Sequence, residues 1–171
     1  MPTVIIRPEA IGANSGFDVS GNTLLTRIND NDINTFITNI SSANFDVLIE
    51  NSSAYSGATI NNVIVSVIGN TINEKVSSAS LIVELKDASN SLLQTSTLNF
   101  TPTESTQSGV AYSTNLTPSV IDSGLIVNGA VQTVGLIIKE VFITVDYGAP
   151  VGGKIILSSG KIHLIKGKIT L

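Results

Sequence analysis

Val141-Phe-Ile-Thr-Val-Asp-Tyr147 is the stretch that decides the fold class. Val141, Ile143, Val145 and Tyr147 fall on one side of an extended chain, and Phe142, Thr144 and Asp146 fall on the other. That period of two marks a half-buried antiparallel strand. Leu81-Ile-Val-Glu-Leu-Lys86 repeats the pattern, with Leu81, Val83 and Leu85 opposed to Ile82, Glu84 and Lys86. Val63-Ile-Val-Ser-Val-Ile68 is apolar on nearly both faces and reads as a central strand covered on both sides.

Working outward, further strand patterns occupy Thr3–Arg7, Leu24–Ile28, Thr35–Thr38, Phe45–Glu50, Leu92–Phe100, Val110–Leu116 and Val134–Lys139. Polar breaks separate them, and Asp87-Ala-Ser-Asn-Ser91, between two strand patterns, reads as a hairpin turn. Helix signals are sparse. Thr117-Pro118 resembles a cap followed by proline at the first helical position, which predicts one short turn within Ser119–Val127. Many short strands at regular spacing predict an all-β, antiparallel β-sandwich of jelly-roll-like type.

The chain has 171 residues, enough for one good core, and at 42% hydrophobic and 13% charged residues it is too apolar for a disordered protein. No apolar run approaches the ~20 residues of a membrane helix, so membrane insertion is not expected. Met1-Pro-Thr-Val-Ile-Ile-Arg7 has no basic flank before a long apolar stretch, which leads us to expect synthesis in a cytoplasm without a secretory leader. The absence of cysteine rules out disulfides, thiolate metal sites and thiol nucleophiles.

Charge divides the chain. All 13 acidic residues lie at or before Asp146, giving residues 1–146 a net −8, whereas Lys154, Lys161, Lys166 and Lys168 leave +4 beyond it. The boundary coincides with a change of pattern. Residues 1–147 read as the sandwich domain, and residues 148–171 as a linker followed by a repeat tail. Gly153-Lys-Ile-Ile-Leu157, Gly160-Lys-Ile-His-Leu164 and Gly167-Lys-Ile-Thr-Leu171 recur every seven residues. A coiled coil does not fit, because the Ile and Leu positions are two apart and each repeat carries a helix-weakening glycine. An odd repeat in a straight strand would throw Ile155 and Ile162 onto opposite faces, so each repeat is expected to contain a turn or bulge that resets the face. Such a β-strand repeat extension cannot bury its apolar side alone. We expect it to be an assembly interface made by Ile155, Leu157, Ile162, Leu164, Ile169 and Leu171, with Lys154, Lys161 and Lys168 facing an acidic partner such as another copy of the body. A homo-oligomer follows, with a trimer favoured. Nucleic acid is not expected, since the tail lysines come without arginine or interleaved aromatics.

Catalytic signals are missing. His163 is the only histidine, and at the equivalent place in the other repeats stand Ile156 and Thr170, so the position reads as a strand residue. Gly124-Leu-Ile-Val-Asn-Gly129 lacks the Lys-Ser/Thr of a phosphate loop. Asp30, Asp32 and Asn34 have the spacing of the first three ligands of a calcium loop, but Thr35 replaces the turn glycine and Ser41 stands where the bidentate glutamate would be. We therefore expect no catalytic residues, no cofactor and no obligatory metal. Zero Trp and three Tyr weigh against a sugar-cleaving groove built on a carboxylate pair.

From Thr35 to Tyr147 the order of features resembles a β-sandwich module that recurs in tailed-bacteriophage virion proteins. The resembling run comprises Thr35-Phe-Ile37, Phe45-Asp-Val-Leu48, Gly57-Ala-Thr-Ile60 leading into Val63–Ile68, the Leu81–Asp87 hairpin, Tyr112-Ser-Thr-Asn115 with Pro118, and Val141–Tyr147. The resemblance implies a structural protein on the virion surface, a capsid decoration or a head or tail appendage, with other virion proteins as partners. The alternative is a carbohydrate-binding adhesion module contacting a host-surface glycan, which would call for aromatics such as Tyr55 or Tyr112 beside Asn and Asp side chains. One prediction follows for the acidic loop. Calcium should leave the melting temperature where magnesium leaves it, and Asp30→Asn with Asp32→Asn should not alter that, as read by calorimetric scans in each ion.

Overall fold

The computed structural model describes residues 3–11, 37–38, 44–49, 58–72, 76–114, 116–133, 135–148, 155–158 and 161–164. Along the chain run β1 (Thr3–Ile6), β2 (Pro8–Ile11), β3 (Ile37–Thr38), β4 (Asn44–Ile49), β5 (Thr59–Thr71), β6 (Ala79–Asp87), β7 (Leu92–Phe100), β8 (Ser105–Ser108), α1 (Pro118–Asp122), β9 (Leu125–Val131), β10 (Leu136–Gly148), β11 (Ile155–Ser158) and β12 (Lys161–Leu164). All pairings are antiparallel. Sheet A has the order β1-β10-β5-β8, with β3 also on β10, and sheet B the order β2-β4-β9-β6-β7. The fold is thus an antiparallel β-sandwich, as the alternation predicts. From β1 to β10 the chain passes from one sheet to the other at every connection except β6–β7, the first time at Arg7-Pro8.

The two sheets close on one core. Val141, Ile143 and Val145 of β10 are fully buried, and Val63, Val65 and Val67 of β5 lie across from them in the same sheet. From sheet B come Phe45, Val47, Ile49, Leu81, Val83, Leu85, Leu98, Phe100, Leu125, Val127 and Val131. The predicted split of β6 holds residue by residue, with Leu81, Val83 and Leu85 buried and Ile82, Glu84 and Lys86 half-buried on the far side. β5 is interior to its sheet as expected, but its outer face is only partly covered: Ser66 is buried whereas Ile64 and Ile68 are half-buried.

Three readings need correction. Val134–Lys139 and Val141–Tyr147 are not two strands but parts of one, β10, and Lys139 is the extra residue of a bulge against β5. The bulge shifts the phase of alternation, so Leu136 and Ile138 face the core before it and Val141, Ile143 and Val145 after it. Val110–Leu116 forms no strand; only Tyr112 bridges to Val63, and the strand of this region is β8. The helix ends at Asp122, and Leu125–Val131 is the interior strand β9, where Leu125, Val127 and Val131 are buried at period two. The expected strand Leu24–Ile28 lies outside the described residues.

One close approach fixes β9 against its neighbour. Phe45, fully buried, stands opposite Gly129, and a Cβ there would come within 2.2 Å of the Phe45 ring. Only glycine leaves room for the ring to lie across the strand. Gly129→Ala is expected to cost about 1–3 kcal/mol through overpacking. Ile143→Asp should cost about 3 kcal/mol or more by burying an unpaired carboxylate. Chemical denaturation of both variants checks the ranking, and normal stability of Ile143→Asp would mean that its side chain does not face the core.

Candidate functional site

The outer face of sheet B carries a row of polar side chains fixed by strand register. Asp46 on β4 stands opposite Asn128 on β9, Asn128 opposite Glu84 on β6, and Glu84 opposite Thr95 on β7. Neighbouring strands lie ~4.8 Å apart, so the row crosses roughly 14 Å of surface. The Asn128 amide Nδ2 donates to Asp46 Oδ1, which anchors the buried Asp46 carboxylate. Glu84 pairs with Lys86 on its own strand at 3.1 Å, and about a third of its side chain stays exposed. Exposure in that range keeps the pair's contribution to stability small. Its consequence here is to hold a carboxylate and an ammonium side by side on an open face.

One step along the strands, the row turns apolar. Leu48 on β4 stands opposite Ile126 on β9, and Ile126 opposite Lys86 on β6. Both apolar side chains are half-buried. They lead into a depression of about 240 Å³ at the end of the sheet, completed by Ile49, Ala88, Ser123, Gly124 and Leu125. A second depression of about 230 Å³ shares Ala88 and Ser123 and is lined by Asp87, Ser89, Ser119 and Val120. Hydroxyls and a carboxylate thus ring a floor that is partly aliphatic.

Local sequence explains the rim. Asp87 Oδ1 accepts hydrogen bonds from the backbone amides of Ser89 and Ser91, both at 2.9 Å, and Asn90 adopts a φ of 65° that asparagine tolerates in turns. With Oδ1 so occupied, Asp87 Oδ2 makes no hydrogen bond among the described residues. Opposite it, Thr117 caps α1 by accepting from the Val120 amide, and Pro118 starts the helix. Gly124, at a φ of +90°, turns the chain from α1 into β9.

The residues expected to matter from sequence fall elsewhere. Asp30, Asp32, Asn34, Tyr55, Lys154, Lys168, Ile169 and Leu171 lie outside the described residues. β11 and β12 pair as an antiparallel ribbon in which Ile155 stands opposite Leu164, Leu157 opposite Ile162, and Ser158 opposite Lys161. Tyr112 packs against the core, and its backbone N–H and C=O are both bonded to Val63. Among the described residues no three His, Cys, Asp or Glu side chains converge, and no helix is long and apolar enough to cross a membrane. The union of Asp46, Glu84 and Asn128 was not legible from spacing, because these three are 38 to 82 positions apart and only register unites them.

No protein-family model matches the chain, and no curated protein matches it. Among solved structures it is similar to the C-terminal CBM6 of LamC, a marine laminarinase from Zobellia galactanivorans, at 10% identity and a TM-score of 0.48 over 84% of this chain and 98% of that one. It is also similar to a family 35 carbohydrate binding module from Clostridium thermocellum, at 8% identity and a TM-score of 0.44 over 85% and 98% of the two chains. A third likeness is to the CBM36-1 domain of a multidomain xylanase from the hindgut metagenome of Trinervitermes trinervoides, at 10% identity and a TM-score of 0.41 over 88% and 100%. These three are carbohydrate-binding modules.

Replacing Asp87 with Ala should loosen the β6–β7 turn. Losing two side chain-to-backbone hydrogen bonds is expected to lower stability by about 1 kcal/mol. Amide exchange at Ser89 and Ser91 should quicken while exchange in β9 stays slow, as followed by hydrogen–deuterium NMR.

Proposed function

We propose that the sandwich is a non-catalytic module that binds carbohydrate along the outer face of sheet B and into the depression at its end. The observation that supports this reading is the row Asp46–Asn128–Glu84 lying directly beside the apolar pair Leu48–Ile126. A sugar ring presents hydroxyls around its rim and C–H groups on its faces, so a surface that recognises it must offer both kinds of contact within one ring width. Carboxylate and amide side chains supply multiple acceptors and donors, and hydrogen bonds to a carboxylate are the stronger kind. The site is an open face with shallow depressions rather than an enclosed cleft, which favours binding over turnover, since catalysis gains from excluded water.

This reading favours the alternative function from the sequence over a purely structural one, and the two settings are compatible. On a virion surface, as the resemblance implies, the same face would hold a particle to a host glycan. The tail's assembly role is a proposal of the same kind. The antiparallel pairing of β11 with β12 supports it, because two of the repeats then meet in one ladder.

The test is calorimetric and NMR titration of the full chain with a panel of soluble oligosaccharides. A binder should shift the amide signals of residues 84–86, 126–128 and 46–48. Asn128→Ala and Glu84→Gln should each weaken binding about tenfold or more, equal to ~1.4 kcal/mol, with the melting temperature little changed for Glu84→Gln. Hydrolysis of any panel member would refute the non-catalytic reading, and binding unaffected by both variants would place the sugar elsewhere.

A further inference from the structure

The charges around the proposed sugar site do not balance. Asp46, Glu84 and Lys86 lie on the outer face of sheet B, and Asp87 lines the depression at its end. Lys86 is already paired with Glu84 at 3.1 Å, and the buried Asp46 is bonded to Asn128. Asp87 is the carboxylate of the site that meets no side chain among the described residues. Its Oδ1 takes the backbone amides of Ser89 and Ser91, which fixes the group and leaves Oδ2 to receive another donor.

The depression around Asp87, about 230 Å³, is completed by Ala88, Ser89, Ser119, Val120 and Ser123. Ala88 and the three serines are exposed, and Asp87 and Val120 are half-buried, so the depression opens to solvent. Its polar groups are biased toward accepting. The Ser123 hydroxyl gives its proton to the Ser119 carbonyl at 2.7 Å, so its oxygen is left as an acceptor. The hydroxyls of Ser89 and Ser119 can accept as well. No Lys, Arg or His is among the lining residues. Such a ring suits a group rich in donors and positive in charge. An ammonium brings three donors and no acceptor, and its hydrogen bond to a carboxylate is charge-assisted. One carboxylate is a thin donor set for calcium, which takes about six to eight oxygen ligands with carboxylates prominent among them. An anion would meet uncompensated like charge.

We infer, on the carbohydrate reading given above, that the sugar in this depression is a hexosamine with a free amine, its ammonium set against Asp87, and that uronate chains are excluded. The second depression shares Ala88 and Ser123 and has Leu48 and Ile126 in its lining. A neighbouring ring there meets an aliphatic surface, so the two depressions select differently: the first by charge, the second by contact with C–H faces.

The experiment is calorimetric and NMR titration of the full chain with glucosamine oligomers, their N-acetylated counterparts and galacturonate oligomers of equal length. Acetylation removes the positive charge and keeps the ring and its linkage. The free-amine oligomers should bind tenfold or more tighter than the acetylated ones and shift the amide signals of residues 87–89 and 119–123, while the galacturonate oligomers show no binding. Asp87→Asn keeps an Oδ1 acceptor for the two turn amides and should erase the preference. Glu104→Gln, which removes an equal charge beside Lys139 on sheet A, should leave the preference intact. Acetylated oligomers bound as tightly as free-amine ones overturn this inference and leave the carbohydrate reading standing. A preference that survives Asp87→Asn overturns it too, by tracing the attraction to the net charge of −4 on the whole chain. Binding of galacturonate oligomers does the same. Failure of every oligomer, charged or neutral, to bind removes the carbohydrate reading itself and this inference with it.

Discussion

The antiparallel ladder between β5 and β10 is thirteen residues long on each strand, and the sandwich depends on its bending. A ladder that length has two ends that must both turn an apolar side to the same core while the sheet twists. Two bulges reconcile these demands. Lys139 is the extra residue near one end and Asn61 the extra residue near the other. Each changes the phase of alternation, so Ile60 and then Val63, Val65 and Val67 face inward on β5, as Leu136 and Ile138 and then Val141, Ile143 and Val145 do on β10. The displaced side chains are used. Lys139 reaches Glu104, and Glu140, almost fully buried on the outer side, is paired with Arg7 at 3.6 Å where the chain crosses between sheets.

That phase change also explains what the sequence shows and hides. Within an unbroken stretch the period of two is enough, and Leu81–Leu85 and Val141–Val145 face as the alternation requires. At Lys139 the alternation jumps, and a reading based on period alone takes the jump for the end of a strand. Leu125–Val131 misled for another reason. A capped, proline-started helix does begin just before it, and the turn that stops the helix is made by Gly124 through its backbone conformation. β8, Ser105-Thr-Gln-Ser108, carries no apolar residue at all. Its place in the sheet comes from pairing with β5 and from the Ser66–Ser108 hydroxyl contact at 2.9 Å, which is tertiary information.

The candidate site lay still deeper. Asp87 could be read as a turn residue, and Glu84 as an outward one, from their immediate neighbours. Nothing local joins Glu84 to Asn128 or Asn128 to Asp46, since their adjacency exists only once β4, β9 and β6 are in register. Register in turn is set by the inner face. A slip of one residue would move Val47, Val127 and Leu85 off the core and turn the polar row inward, so burial of the apolar set fixes the polar set without any interaction between the polar groups themselves. The Asn128–Asp46 hydrogen bond is therefore a consequence of the core before it is a feature of the site.

This division of labour makes the outer face of sheet B chemically free. The inner positions are filled by Phe45, Val47, Leu81, Val83, Leu85, Leu98 and Val127, all nearly inaccessible, and Gly129 cannot grow without displacing Phe45. Their alternates on the same strands are half-buried or exposed, apart from Asp46, which is buried and held by Asn128. Substitution there changes the chemistry of the face more than whether the sandwich forms. With no tryptophan and few tyrosines, the recognition proposed for this face would have to come from the placement of ordinary carboxylate, amide and aliphatic side chains across adjacent strands.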